Sequence, residues 1–329
     1  MRALPDGVHD RDLLDALREG WGVDAIDATY VPVGGGSYHW HVGDGAGVRH
    51  WVTVDDLDNK GFLGHTTDVV MDGMRRAFDT AYALRAGGVE FVVAPVPTSD
   101  GESVRRLGHR HAISLFPYVT APAGRFGEYR TPAERVAVID ALVRLHRAPP
   151  ARARAVVPEV PHRTGLERAL VETDRPWSSG PYAERARTHL ATHADEVHRL
   201  LTRFDSLTDK VAATGASPVL THGEPHPGNV VFADDHVLLI DWDTVAVAIP
   251  ERDLWMLDSD EARAQYAAAS GRPVDDAAIN LYRLRWHLDD ISTAVHELRS
   301  PHVENADTAL TWRWFGGAFE SDGPRPYAP

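Results

Sequence analysis

Cysteine is absent from the chain, which excludes disulfides, thiolate metal sites and cysteine nucleophiles. Lysine is nearly absent: it stands only at Lys60 and Lys210, and every other basic side chain is an arginine. No apolar run is long enough to span a bilayer, and the opening Met1-Arg2-Ala3-Leu4-Pro5-Asp6 does not begin a signal peptide. The expectation is therefore a cytoplasmic protein with no membrane partner. A basic surplus is missing too. Asp and Glu number 48 against 34 Lys and Arg, a formal net charge of −14, which argues against nucleic acid because a phosphate backbone needs a basic footprint. The same charge suits a cationic small molecule, or simply an acidic solvated surface. Internal repeats and low-complexity tracts are lacking. What is present is 329 residues, 43% hydrophobic and 25% charged, the composition of a folded chain with room for two domains.

The densest chemistry lies between Leu220 and Trp255, LTHGEPHPGNVVFADDHVLLIDWDTVAVAIPERDLW. Val219 and Leu220 are β-prone, whereas Pro225, Pro227 and Gly228 forbid a helix, so His222 to Gly228 is expected to be a stiff loop leaving a strand. Val230 to Phe232 and Val237 to Ile240 are short apolar runs separated by Ala233-Asp234-Asp235-His236, a composition suited to a tight turn. Such a hairpin returns Asp241 beside Asn229. Carboxylate and carboxamide oxygens, with Asp243 close by, then suit Mg²⁺, a hard cation that takes a few oxygen ligands plus water and phosphate. Glu224 is left to receive or orient a hydroxyl proton. The other chemistry open to this loop, a zinc hydrolase site from His222 and His226, needs a helix to aim both rings at one metal, and Pro225 and Pro227 break it.

His222-Gly223-Glu224-Pro225-His226-Pro227-Gly228-Asn229 and Ile240-Asp241 resemble the catalytic and metal-binding segments of the aminoglycoside phosphotransferase (APH) and choline kinase-like family, and more distantly those of protein kinases. The resemblance implies an α+β, bilobal, protein-kinase-like fold. Residues 1–117 would form a small β-rich nucleotide-binding lobe with one main helix, and 118–329 a larger, mostly helical catalytic and acceptor-binding lobe. It implies ATP or GTP as phosphoryl donor and Mg²⁺ held by Asn229, Asp241 and, in support, Asp243. His222, Glu224 and Asn229 form the catalytic set. Glu224 stands where the family usually has Asp, one methylene longer. Spectinomycin-type antibiotic phosphotransferases are the nearest in character. The acceptor is then the hydroxyl of a cationic, aminoglycoside- or aminocyclitol-like antibiotic. The alternatives are a metabolic kinase for a sugar, amino alcohol or nucleoside, and a nucleotide-binding relative without turnover. A monomer or a homodimer is compatible with all of these.

The amino-terminal third is expected to be a short helix, Asp10 to Glu19, then strands at Tyr30–Val33, Tyr38–Val42 and Val48–Val54. Gly34-Gly35-Gly36-Ser37 lies between the first two, either as a phosphate-covering loop or as an ordinary hairpin turn. On the third strand the resemblance calls for a lysine, and Thr53 stands in its place. Lys60 follows seven residues later, after Asp55, Asp56 and Asp58, too far along to be the same strand residue. The next helix, Asp68 to Ala86, lacks the glutamate that would pair with such a lysine, and Arg75 or Arg76 is the expected substitute cation.

Phe91–Pro95 and His109–Phe116 read as further strands. Phe116 and Tyr118 stand where the family meets the nucleotide base, with core packing as the other role for at least one of them. The Pro/Gly-rich segment 121–127 reads as the hinge. Thr131-Pro132-Ala133-Glu134 is a capping box opening a helix that runs to Pro149. One long amphipathic helix is expected through Leu190, Ala194, Val197, Leu201 and Phe204, ending before Gly215. Two more are expected over 275–299 and 305–315. Trp286, Asp289 and Asp290 on the first of these are candidates for holding a cationic acceptor ring.

Overall fold

A computed structural model describes residues 1–121, 123–124, 131–233, 236–257 and 259–319. They fall into two compact units, the first within Met1–Arg125, Tyr129–Ala155 and Val219–Ala248, the second within Val156–Pro218 and Ile249–Pro329.

In the first unit, helix α1 (Asp10–Trp21) starts at a reciprocal cap between His9 and Asp12 and stops on Gly22, whose φ of 65° is the left-handed conformation that ends helices. It is followed by strands β1 (Ala25–Val31), β2 (Tyr38–Asp44) and β3 (Arg49–Asp56), helix α2 (Thr67–Ala86), and strands β4 (Arg105–Leu107) and β5 (His111–Pro117). The strands form one antiparallel sheet in the order β1-β2-β3-β5-β4. Alternation along β3 sorts its side chains by face. Val52 and Val54 enter a core with Leu13, Leu17, Trp40, Val42, Ile113 and Leu115. Trp51, Thr53 and Asp55 take the opposite face, where Trp51 packs on a second cluster containing Met74 and Phe78 of α2 and Phe116 of β5.

Helix α3 (Pro132–Arg147) begins at the Thr131/Glu134 capping box read in the sequence. Strand β6 (Val219–Thr221) pairs with β9 (Ala246–Ala248), and β7 (Val230–Ala233) with β8 (His236–Leu239). The hairpin is tied to the segment after α2: Leu239 N donates to Phe91 O at 2.7 Å and Val93 N to Leu239 O at 3.0 Å. Phe91–Pro95 is therefore not a sheet strand; it makes one parallel bridge, Val92 to Leu239. Phe91, Val92, Val93 and Ala94 are as buried as sheet residues, so apolar composition alone misassigned the segment.

The second unit is helical: α4 (Arg163–Val171), α5 (Ala183–Thr192), α6 (Ala194–Ala212), α7 (Glu251–Leu254), α8 (Asp260–Ser270), α9 (Asp276–Arg299) and α10 (Ala306–Gly317). The single long helix expected through Leu190 and Phe204 is two, broken at His193; both pieces keep their apolar stripe, so periodicity did not show the break. Leu281, Leu288, Ile291, Val295 and Leu298 of α9 form the axis of this core, with Leu166, Leu190, Leu201, Phe204 and Phe315 around them. The architecture is the expected α+β one, an amino-terminal antiparallel sheet and a larger helical part. No helix of the described residues is long and apolar enough to cross a membrane. Most of the expected hinge, 121–127, lies outside the described residues, as do positions 234 and 235 of the hairpin turn.

Candidate active site

The loop after β6 is held from inside. His222 is fully buried, its ring against Trp242 with centroids 4.7 Å apart. Its Nε2–H donates to Ile240 O at 2.9 Å, and its Nδ1 accepts the Glu224 backbone N–H at 3.2 Å, an assignment that fixes the neutral tautomer. Thr244 Oγ1 donates to His222 O at 2.8 Å. Gly223 turns the chain at φ 104°, open only to glycine, and Pro227 opens a 3-10 turn ending at Asn229. His222, placed among the catalytic residues by its motif, thus turns both nitrogens to the loop; Glu224 is the half-buried group at the loop's outer side. Burial and the neighbouring His222 lower the His226 imidazole to about 3, so that ring is neutral and apolar in effect.

Asn229 comes beside the end of β8 as the hairpin requires. Ile240 N donates to Asn229 O at 3.0 Å, and Asn229 Nδ2 donates to Glu224 O at 3.1 Å. With its amide hydrogens on the loop, Asn229 keeps its carboxamide oxygen for another partner. Asp241 adopts φ 64°, a left-handed conformation that costs a non-glycine residue on the order of 1–3 kcal/mol and clusters at functional sites. Asp241 is solvent-exposed, yet its carboxyl stands in a recess among acids. Burial, then the charge of Asp243, push it well above the usual carboxylate range; Glu224 and Asp55 add to this and Lys60 opposes it.

The largest departure from expectation is Lys60. It is 3% exposed, and its ammonium lies 2.9 Å from Asp55 Oδ1 and 2.6 Å from Asp243 Oδ2, and donates to Ser37 Oγ at 3.2 Å. Burial alone would lower its pKa; the charges of Asp243, Asp55 and Asp241 outweigh that and raise it. Ser37 Oγ donates in turn to Asp55 Oδ1 at 2.5 Å, while the buried Asp55 Oδ2 has no hydrogen-bond partner among the described residues. The charge thought to be missing is therefore present, and it comes from beyond the strand. A strand running on would carry Lys60 about 23 Å past Thr53, but a 3-10 turn at Leu57–Asn59, capped by Asp56, folds the chain back. The usable signal was a solitary lysine behind three aspartates in a lysine-poor chain.

Arg75 and Arg76 do not take that place. Arg75 pairs with Asp72 at 2.9 Å and Glu102 at 3.8 Å, and Arg76 is exposed. Thr53 is buried, its Oγ1 3.3 Å from His39 Nδ1. Gly34 needs its φ of 73°, whereas a Cβ on Gly35 or Gly36 would meet nothing within 4 Å; the loop is open on that side, and Ser37 roots it at Lys60. Phe116 belongs to the core, edge-on to Phe78. Tyr118 is half-buried between His41 and the Arg49 guanidinium, 4.1 Å from its ring centroid. Trp286, Asp289 and Asp290 lie on α9 in the second unit. There, Trp286 packs on Trp255 and Asp289 pairs with Arg285 at 3.2 Å.

No group of three or more His, Cys, Asp or Glu side chains able to hold a metal occurs among the described residues. A hard cation here would draw on Asp241, Asn229 and Asp243 together with oxygens of a bound phosphate, a donor set that fits Mg²⁺.

Comparison with known proteins agrees with this geometry. The phosphotransferase enzyme family, APH, matches over residues 32–287. Protein StrN of Streptomyces griseus is 30% identical over 254 residues, 72% of this chain and 74% of StrN. Among solved structures, a spectinomycin phosphotransferase in complex with ADP and spectinomycin superposes with a TM-score of 0.72 at 18% identity, covering 94% of each chain. The choline kinase LicA of Streptococcus pneumoniae gives 0.55 at 12% identity, covering 94% of this chain and 98% of its own. At those identities the structures speak for the fold.

Proposed function

Because the chain belongs to the phosphotransferase enzyme family, and is thus a phosphotransferase with an alcohol group as acceptor, we propose that it moves the γ-phosphoryl group of ATP or GTP to a hydroxyl of a cationic, aminoglycoside- or aminocyclitol-like antibiotic. The observation that carries the reading is the single hydrogen-bonded unit joining His222, Glu224, Asn229 and Ile240-Asp241. It ties the loop carrying Glu224 and Asn229 to the segment carrying Asp241, which supports a carboxylate acting beside a hard-metal oxygen set. Relatives whose names speak of spectinomycin, macrolide and amicoumacin phosphorylation support the antibiotic class. The acidic net charge suits a cationic acceptor.

In this reading Glu224 orients the acceptor hydroxyl and takes its proton as the oxygen attacks the γ-phosphorus, while the bond from that phosphorus to the bridging oxygen of the β-phosphate breaks and the nucleoside diphosphate leaves. His222 holds the loop that presents Glu224. Asn229 and Asp241 would hold Mg²⁺, with Asp243 beside them. Bound there, Mg²⁺ would supply positive charge to offset that of the phosphates. Phosphoryl transfer is mostly positioning and charge stabilisation around a loose transition state, so the extra methylene of Glu224 is absorbed by where the loop puts it. Gly34 to Ser37 would cover the phosphates and Tyr118 the base. Residues 1–117 act as nucleotide-binding lobe and 118–329 as catalytic and acceptor-binding lobe, with Trp286, Asp289 and Asp290 on the acceptor side.

The test is purified protein with Mg²⁺, ATP or GTP, and a panel of aminocyclitols, aminoglycosides, macrolides, sugars and amino alcohols, read by the mass gain of one phosphoryl group. Transfer to an aminocyclitol or aminoglycoside is the expected result. Transfer only to choline- or ethanolamine-like acceptors, which neighbouring kinases suggest, would replace the antibiotic reading with a metabolic one.

A further inference from the structure

Lys60 donates hydrogen bonds to Asp243 and Ser37 and is ion-paired with Asp55 at 2.9 Å. The three partners are not equivalent. Ser37 and Asp55 are also bonded to each other at 2.5 Å, and both belong to the glycine-loop and sheet corner from which Lys60 itself emerges. Asp243 comes from the far end of the chain, 183 residues away in sequence. Its hydrogen bond to Lys60 is the only one shown for its side chain among the described residues.

The surroundings are strongly acidic. Asp55, Asp243, Asp241 and Glu224 all act on this corner, against a single buried lysine, and among the described residues Asp55 Oδ2 has no hydrogen-bond partner. A buried ion pair of this kind is weak evidence for stability, since an apolar replacement is often as good. It is well suited to an exchange of ions. One cation already sits on a carboxylate of the candidate metal set, so a metal ion that takes Asp243 must displace it.

We propose that Lys60 is an exchangeable counter-ion: anchored by Asp55 and Ser37, it occupies Asp243 while the site holds no nucleotide, and it gives up that carboxylate for a phosphate oxygen when a metal–nucleoside triphosphate enters. This rests on the kinase reading and deepens it. Two consequences follow from the geometry. Metal without nucleotide competes with Lys60 for Asp243 and binds weakly, whereas metal with triphosphate supplies both a cation for Asp243 and an anion for Lys60. Because Ser37 roots the Gly34–Gly36 loop on the same ammonium, the exchange also reports to the loop that covers the phosphates. Asp55, on the same strand face as Thr53, is the positioning residue, and the anchor does not involve α2.

The test measures two affinities that should move in opposite directions. Mn²⁺ alone and Mg²⁺ with ATP or GTP are titrated into wild type, Lys60→Met and Asp55→Asn. In Lys60→Met, nucleotide-free Mn²⁺ binding should tighten by about tenfold, an ordinary size for coupling between linked sites. Its triphosphate affinity should fall by roughly tenfold to a hundredfold, the effect of one charged hydrogen bond. A merely structural lysine would weaken both or neither, and either result overturns the proposal. Should Lys60→Met not fold, Asp55→Asn carries the test, because it keeps the ammonium and cuts its anchor. Triphosphate affinity should then fall with no gain in Mn²⁺ binding, and unchanged triphosphate affinity overturns the proposal. Wild-type protein that binds neither ATP nor GTP overturns the kinase reading together with this one; wild-type binding with an indifferent Lys60→Met overturns this one alone.

Discussion

The loop from His222 to Asn229 and the corner from Asp55 to Lys60 are both short, polar and buried, and they were legible to very different degrees. In the loop the shape-giving constraints are local: two prolines, Gly223 at φ 104° and a histidine bonded within two residues of itself. The hairpin that follows closely in sequence closes on it through Ile240, Trp242 and Thr244. In the corner, the key contact joins residues 183 apart, and a 3-10 turn decides where the lysine arrives. Residue types and spacing describe the first kind of site. The second exists only once the chain has folded.

The sharpest way to break that comparison is at the loop. Glu224→Gln should lower turnover by about 10² to 10⁴, the range for a lost general base, with nucleotide affinity nearly unchanged because the carboxylate acts on the acceptor. Steady-state kinetics beside a nucleotide titration reads both, and a variant with near wild-type kcat would remove Glu224 from its role. Next in size is the pair of aspartates. Asp241→Ala should reduce Mg²⁺-dependent nucleotide binding by roughly a hundredfold, as loss of a charged partner does. Asp243→Ala should cost less, since Lys60 is then free to meet phosphate. Equal losses, or a worse Asp243→Ala, would mean that Asp243 is the principal metal carboxylate.

Legibility elsewhere followed the same division. Strands β2, β3 and β5, with α1, α2 and the capping box of α3, were readable because strand alternation, glycine stops and Thr131/Glu134 are local signals. The first strand, expected at Tyr30–Val33, runs instead over Ala25–Val31, and the short edge strand Arg105–Leu107 was not expected. The break at His193 was not, because α5 and α6 keep one apolar stripe across it. Phe91–Pro95 looked like a strand because its residues are apolar and buried, whereas its backbone bonds go to Leu239, far along the chain. In the site, Glu224, Asn229 and Asp241 were found together. Lys60 was set aside by counting residues along an extended strand that in fact turns back.

A smaller effect tests the corner through pH. Burial, then the charges of the N-terminal ammonium and Lys60, lower His39 to about 3, so the folded protein keeps this ring neutral where the unfolded chain, near 6.5, takes up a proton. The unfolded state therefore binds more protons below pH 6.5, and stability falls as pH drops from there towards 3. The contribution is at most about 2 kcal/mol at pH 5. Denaturant unfolding at pH 7 and pH 5 should show a smaller difference for His39→Gln than for wild type. An equal difference would mean that the ring titrates normally in the folded protein.

The smallest expected effect is the most pointed, because it addresses the residues that sequence reasoning chose in place of Lys60. Arg75 is engaged with Asp72 and Glu102 at the surface of α2, and Arg76 is exposed. Exposed ion pairs of this kind are worth about 0–1 kcal/mol, and neither arginine bonds to the acids of the corner in the structure. Arg75→Ala and Arg76→Ala should therefore leave triphosphate affinity and kcat within about twofold of wild type, corresponding to a few tenths of a kcal/mol. Thr53→Lys should bring no gain, since a second ammonium beside His39 and near an occupied Asp55 adds repulsion where a cation already stands. The measurement is the same nucleotide titration used for Lys60→Met. A tenfold loss in either arginine variant, or tighter binding in Thr53→Lys, would show that the buried lysine neutralises its acids and does nothing for the phosphates.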